Sequence, residues 1–333
     1  MSSAPSAQEI SRDARWLAQA LDPATGVARL VEMAPETYRA ASFLDDRLLQ
    51  GPVNARTVPF SEVVGAMPAD ARGDARWIFH IGHVGSTLIA RLLGELTNVL
   101  SIREPRILRD LALMPGENRA AILPAVSKLF SRTFAAEEMA LVKATSFVSE
   151  IAAELVPPGE RALFLTVDAR TYIATILAGP NSVKEMAALA ESRSSRMVTR
   201  VHGLRPGNHP AQLAAAAWAC EMSSLEAAAD AMADRLVMWS NFDRLLGDMA
   251  NELSAIAAFF GFDAPPERVS AIVSGPLIGR YSKALEYDYS ASLRAQLIDQ
   301  EIRAHGRAID DALAMLEQSA QESPLLARAL ARS

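Results

Sequence analysis

Five short apolar runs, each followed by a stretch of helical pattern, limit what this chain can fold into. They are Arg76 to Ile81, Val99 to Ile102, Met139 to Thr145, Arg161 to Asp168 and Arg235 to Ser240. Continuous apolar runs of this length are what strands covered on both faces look like, and strands alternating with helices build parallel sheets. The expected fold class is α/β, a three-layer sandwich around a central parallel sheet. Between the runs the chain is rich in alanine and poor in β-branched residues, which favours helix.

The flanking segments read as additions to that core. Residues 1–72 are expected to form an N-terminal helical extension, with Trp16, Leu17 and Leu21 on one helix face. Residues 73–290 hold the core. Residues 291–333 are expected to form an amphipathic helix, apolar at Leu293, Leu297, Ile302, Ile309, Leu313 and Leu316, with Ser290 as its N-cap. Such a helix clamps the core or joins two subunits, so a homodimer stays open.

Composition removes several classes of function. The chain has 333 residues, 50% hydrophobic and 22% charged, with a formal charge of -6. That is a globular composition, and an isoelectric point near 5.5 argues against nucleic acid as a partner. Cys220 is the single cysteine, so no intrachain disulfide and no Cys-rich metal site can form, and a core position is expected for it. Met1 to Arg15 lacks an apolar signal region, and the longest apolar stretch, Leu213 to Cys220, is far shorter than a membrane span. A cytoplasmic protein with no membrane partner is the expectation.

The stretch Ile78 to Leu93, IFHIGHVGSTLIARLL, carries the most chemistry. A strand runs through a small-residue turn straight into a helix, so main-chain N–H groups converge on one spot in front of the helix start. Gly82 and Gly85 let an oxyanion approach the backbone, and Ser86 and Thr87 add hydroxyls. Taken alone, such a turn is equally a plain helix cap; the strand in front of it favours an anion site. A nucleotide-hydrolysing loop of the form Gly-x-x-x-x-Gly-Lys-Ser/Thr is not present, because no lysine precedes the hydroxyl and His80 stands where the first glycine belongs.

Two further groups follow. Arg103-Glu104-Pro105-Arg106 comes directly after the second run, at the end of a strand where α/β sheets place their ligand crevice. Either Glu104 is a site carboxylate there or it forms an exposed pair with a neighbouring arginine. Lys143, amid apolar neighbours, must bring its ammonium to an anion or snorkel to the strand end. Arg193, Arg196 and Arg200 fall on one helical face, a solvated basic face or, together with His202, part of a lid over an acidic acceptor. Asn241 reads as a helix cap.

His83-Val84-Gly85-Ser86-Thr87-Leu88 resembles the Lys/Arg-Ser-Gly-Ser/Thr-Thr-Leu loop of sulfotransferases that use 3'-phosphoadenosine 5'-phosphosulfate (PAPS). The resemblance covers mainly residues 76–175 and, more weakly, 235–285. It implies a P-loop NTPase-like sulfotransferase fold with helical extensions, in which residues 82–88 hold the phosphosulfate and His83 replaces the basic residue. By the same resemblance, Glu104 is the base, Arg106 binds substrate nearby and Lys143 stabilises the transferring sulfuryl group. Thr175 keeps a hydroxyl at the 3'-phosphate, while Val167 stands where the family has an arginine. Arg280, Ser282 and Lys283 match a loop that closes over that phosphate.

The implied reaction transfers sulfuryl from PAPS to a hydroxyl or amine on a small-molecule or peptide acceptor, with no metal required. Two other readings remain at this point. One is an ATP- and magnesium-dependent phosphotransferase with Thr87 and Asp168 as metal contacts. The other is a noncatalytic relative that only binds a ligand.

Overall fold

In the computed structural model, which describes residues 5–279 and 290–332, the chain opens with a small antiparallel sheet in place of the expected helical extension. Strands β1 (Trp16–Asp22), β2 (Val27–Glu32) and β3 (Ala55–Pro59) pair in that order, beside short helices such as Pro35–Ala40. Trp16, Leu17 and Leu21 are therefore strand residues. The cause is burial on both faces: every residue from Trp16 to Leu21 is buried, and the N–H of Leu21 donates to Asp110 of the Arg106–Ala112 helix at 2.9 Å. A strand covered on both sides shows no two-residue alternation, so its apolar spacing passes for a helix. The turn after it is built from Asp22, whose carboxylate accepts from the Ala24 N–H at 2.9 Å and the Thr25 hydroxyl at 2.8 Å.

The five apolar runs are strands, as expected. They are β4 (Arg76–His80), β5 (Val99–Arg103), β6 (Met139–Lys143), β7 (Arg161–Thr166) and β8 (Leu236–Asn241), all parallel, in the spatial order β5-β6-β4-β7-β8. Trp77, Ile78 and Phe79 of the central β4 have no exposed surface. From β4 the chain crosses to the far edge at β5, and after β6 it crosses back past β4 to β7. The carboxyl ends of β4 and β6 thus lie side by side where the winding reverses, which is where such sheets open a ligand crevice.

The long helix Pro210–Ala231 packs on this sheet and anchors it through Trp218, whose indole N–H donates to the Val167 carbonyl at 3.0 Å. The Ala291–Ala320 helix begins at Ser290, whose hydroxyl accepts from the Leu293 N–H at 3.0 Å, and it departs from helical geometry at His305. It packs against the helices Ala169–Leu177 and Pro210–Ala231, and a further helix, Pro324–Arg332, follows it. Among the described residues, no helix is long and apolar enough to cross a membrane.

Cys220 lies in the Pro210–Ala231 helix with no exposed surface, and burial pushes its thiol up to about 12. Only the thiolate alkylates readily. Iodoacetamide at mildly alkaline pH should therefore label the folded protein about 100-fold more slowly, or slower still, than the urea-unfolded chain. Mass spectrometry of quenched time points measures this.

Candidate active site

A cavity of about 840 Å³ opens at the carboxyl ends of β4 and β6, and its floor is the loop from His80 to Leu88. The Ser86–Leu93 helix starts at Gly85, which has a φ of 63° and supplies no side-chain cap. Among the described residues, no protein acceptor receives a hydrogen bond from the N–H groups of Val84 to Leu88. A Cβ at Gly85 would fall 2.0 Å from the Phe242 ring, so only glycine fits here. Phe242 starts its own helix behind Asn241, whose side chain caps it as expected, accepting from the Asp243 N–H at 2.9 Å.

His80 braces the loop from below. Its Nδ1 accepts from the Gly82 N–H at 2.9 Å and its Nε2 lies 2.9 Å from the Ala144 carbonyl, which requires a neutral ring with the proton on Nε2. Among the described residues, two non-glycine residues have positive φ: His83 at 55° and Glu104 at 54°. Both line the cavity. Left-handed backbone at such residues costs about 1–3 kcal/mol each and persists where surrounding structure enforces it, often at functional sites.

Glu104, Lys143 and Thr87 come together on one wall. Lys143 ends β6 with 1% of its side chain exposed, and its ammonium meets the Glu104 carboxylate in a tight ion pair and the Thr87 hydroxyl at 3.3 Å. The Glu104 N–H donates to the Lys143 carbonyl at 2.7 Å, so backbone and side chain clasp the same residue. The other carboxylate oxygen lies 3.4 Å from Arg47, which also pairs with Asp45 and rests 3.3 Å over the Phe43 ring. Phe43, Asp45 and Arg47 belong to the N-terminal segment and went unnoticed in the sequence. No motif marks them; long-range bonds bring them here, the Leu44 N–H on the Arg103 carbonyl at 2.7 Å and the Arg103 guanidinium on the Ala41 carbonyl at 2.9 Å among them.

The opposite wall holds Thr175, Ser182, Glu185, Arg193, Arg196 and Glu221. The Thr175 hydroxyl donates to the Thr171 carbonyl at 2.7 Å within its helix. His83 sits 3.7 Å from Glu185 and edge-on to Tyr172, whose phenol burial holds in its protonated form by raising its pKa. Arg193, Arg196 and Arg200 do not form a solvated face. Arg196 binds both oxygens of Glu221 at 2.8 and 2.9 Å, Arg200 binds both of Glu150 at 2.7 and 2.8 Å, and Arg193 is buried. Glutamates 150, 185 and 221, on other helices, draw them inward.

Two expected substrate residues lie elsewhere. The Arg106 guanidinium points away from the cavity to Asp46 and to Asp110, at 3.3 Å from the latter, and Arg109, one helical turn on, lines the cavity instead. His202 is exposed and held by its main chain, whose N–H donates to Ser323 at 2.7 Å, so it is not part of the site. Asp168 caps its helix by accepting from the Thr171 N–H at 2.9 Å and does not line the cavity. Val167 is buried. Arg280, Ser282 and Lys283 lie outside the described residues. Among the described residues no group of three or more His, Cys, Asp or Glu side chains is placed to hold a metal ion.

No protein-family model matches this chain, and no curated protein does. Solved structures do. It is similar to the sulfotransferase domain from the curacin biosynthetic pathway, with 12% identity, 68% of this chain and 89% of that one covered, and a TM-score of 0.43. It is similar to the sulfotransferase domain of the Synechococcus PCC 7002 olefin synthase, with 15% identity, 68% and 94% coverage and a TM-score of 0.37. It is also similar to mouse sulfotransferase SULT7A1, solved in complex with PAP, with 11% identity, 79% and 90% coverage and a TM-score of 0.39. All three are sulfotransferases, the family that residues 83–88 resemble.

Removing one partner of a buried ion pair costs about 3–5 kcal/mol, because the other charge is left uncompensated. Lys143→Met should destabilise the protein by about that amount in urea unfolding. The double variant Lys143→Met/Glu104→Gln should recover at least half of the loss. A fully additive double variant would mean that the two side chains do not depend on each other.

Proposed function

We propose that this cavity transfers a sulfuryl group from PAPS to a hydroxyl or amine acceptor. The observation that carries this reading is the row of N–H groups from Val84 to Leu88, residues that line the cavity, which have no protein acceptor among the described residues, beside the Thr87–Lys143–Glu104 cluster. A helix start of this kind suits a tetrahedral oxyanion. The lining supports it too: six basic side chains against four acidic ones, in a chain whose net charge is -6.

On this reading the loop N–H groups and the Ser86 and Thr87 hydroxyls hold the 5'-phosphosulfate, and Thr175 faces the 3'-phosphate. PAPS supplies an activated sulfur and a stable leaving group, adenosine 3',5'-bisphosphate. Glu104 accepts the proton of the acceptor as the new bond to sulfur forms. Lys143 and the loop donors stabilise the charge that grows on the departing phosphate oxygen when the bridging bond breaks. His83, on the loop itself, is a further donor to that oxygen when protonated, and the 12% exposure of its side chain limits competing water. Val167, buried with its carbonyl on Trp218, brings no charge to the 3'-phosphate.

Adenosine 3',5'-bisphosphate should stabilise the protein against heat; at about 100 times its dissociation constant a ligand adds about 2.7 kcal/mol. Stabilisation by ATP with magnesium but not by the bisphosphate would replace this reading with phosphoryl transfer. Glu104→Gln should lower turnover with PAPS roughly 100-fold or more while circular dichroism stays unchanged. Full activity in that variant would remove Glu104 as the base.

A further inference from the structure

Of the six arginine and lysine side chains that line the cavity among the described residues, five have a carboxylate at ion-pair distance: Arg47 has Asp45, Lys143 has Glu104, Arg193 has Glu185, Arg196 has Glu221 and Arg294 has Asp243. Arg109 is the sixth and has none among the described residues. Asp45 feels its charge from farther off, but both oxygens of Asp45 are bound by Arg47, at 2.8 and 2.6 Å. The Arg109 guanidinium meets instead the Phe147 ring, at 5.9 Å from its centre, and Arg109 is exposed, so a molecule in the cavity can reach its donors. A guanidinium held beside a ring, with no carboxylate on its fork, suits an oxyanion.

Leu113 follows Arg109 by four residues, at the C-cap of the Arg106–Ala112 helix, so the two side chains share one helical face. Leu113 is 74% exposed, the most exposed large hydrophobic side chain among the described residues, and it lines the cavity together with Phe147. Apolar side chains left in water beside a charged group suit a ligand with an apolar body and one polar end.

The order of the strands separates the two sides of the cavity. Glu104 and Arg109 follow β5 and Phe147 follows β6, whereas Thr175 lies on the helix after β7, across β4. A sulfuryl donor that sits on the loop after β4 and extends toward Thr175 leaves the β5 and β6 side to the acceptor. The acceptor hydroxyl must in any case meet Glu104, which is on that side.

We propose that Arg109 anchors a carboxylate of the acceptor, a hydroxyl compound whose apolar body lies against Phe147 and Leu113. This rests on the sulfuryl-transfer reading for its assignment to the acceptor, whereas the anion site itself needs only the cavity. The carboxylate takes two parallel donors of the guanidinium, and the hydroxyl at the other end of the body faces Glu104. The donor's second phosphate is the other source of an oxyanion, and the place of Arg109 on the β5 side, away from Thr175, favours the acceptor.

The test compares para-hydroxyphenylpropanoate with its neutral amide, para-hydroxyphenylpropanamide, by titration calorimetry on the full chain. The acid should bind at least about fivefold more tightly, the scale of a bidentate guanidinium–carboxylate pair in a partly open site. Arg109→Gln should abolish that preference and leave the affinity for adenosine 3',5'-bisphosphate unchanged. Arg109→Glu should reverse it, so that tyramine, with an ammonium in place of the carboxylate, binds more tightly than the acid. Arg109 is exposed and its side chain makes no hydrogen bond among the described residues, so both variants keep the fold, which circular dichroism checks. Equal affinity for acid and amide, or no binding of either, overturns the proposal. So does an Arg109→Gln variant that keeps the preference, and so does one that loses the bisphosphate, which would assign the anion to the donor. Failure of the unmodified protein to bind the bisphosphate would sink the sulfuryl-transfer reading alone, since the comparison of acid with amide reads Arg109 by itself.

Discussion

A lysine at the end of a fully buried strand must meet an anion, and the rest of the site follows from how Lys143 meets Glu104. The ammonium cannot reach bulk water, since only 1% of the side chain is exposed. Its partner must come to it, and Glu104 does so by leaving β5 in a left-handed backbone conformation, with its N–H on the Lys143 carbonyl. That turn sets the carboxylate on the same ammonium that meets Thr87 at the helix start, and 3.4 Å from Arg47. Charge compensation, backbone strain and the aim of the loop are one arrangement. An ion pair this buried adds little net stability compared with an apolar pair of similar volume, but it becomes expensive once half of it is removed. Its worth lies in position.

The main sheet was legible because its strands are covered twice and so stand out as continuous apolar runs; all five were found within two residues of their ends. The same property hid β1. A short doubly covered strand and an amphipathic helix share an apolar spacing, and the covering partner of β1, the Arg106–Ala112 helix, is about ninety positions away in the chain. The loop was legible because its chemistry is local: strand, glycines, hydroxyls and helix follow one another. Glu104 and Lys143 were legible one at a time, through a strand end and a buried charge, although nothing in the order of residues says that they touch.

What stayed hidden was long-range partner choice. Arg106 and Arg109 lie three residues apart on one helix, and which of them faces the cavity is decided by Asp46, far ahead in the chain. The arginines after residue 190 read as a solvated face because their spacing is helical; the glutamates at 150, 185 and 221 that turn them inward belong to other helices. In the sequence His80 reads only as a missing glycine. It is the brace that holds Gly82 and Ala144 together, a role visible only once both ring nitrogens have found their partners.

The border of the cavity includes residues 43–47 at one side and 293–298 at another, with the loop at 82–88 between them. Each outer segment is held by distant parts of the chain: the first is tied by the Leu44 N–H to the Arg103 carbonyl at the end of β5, and the second rides on the helices Ala169–Leu177 and Pro210–Ala231. The loop forms the floor of the cavity and the two outer segments form its rim, so floor and rim come from distant parts of the sequence. A change in the rim residues 43–47 or 293–298 therefore alters the shape of the opening while leaving the strand, the glycines and the helix start of the floor in place.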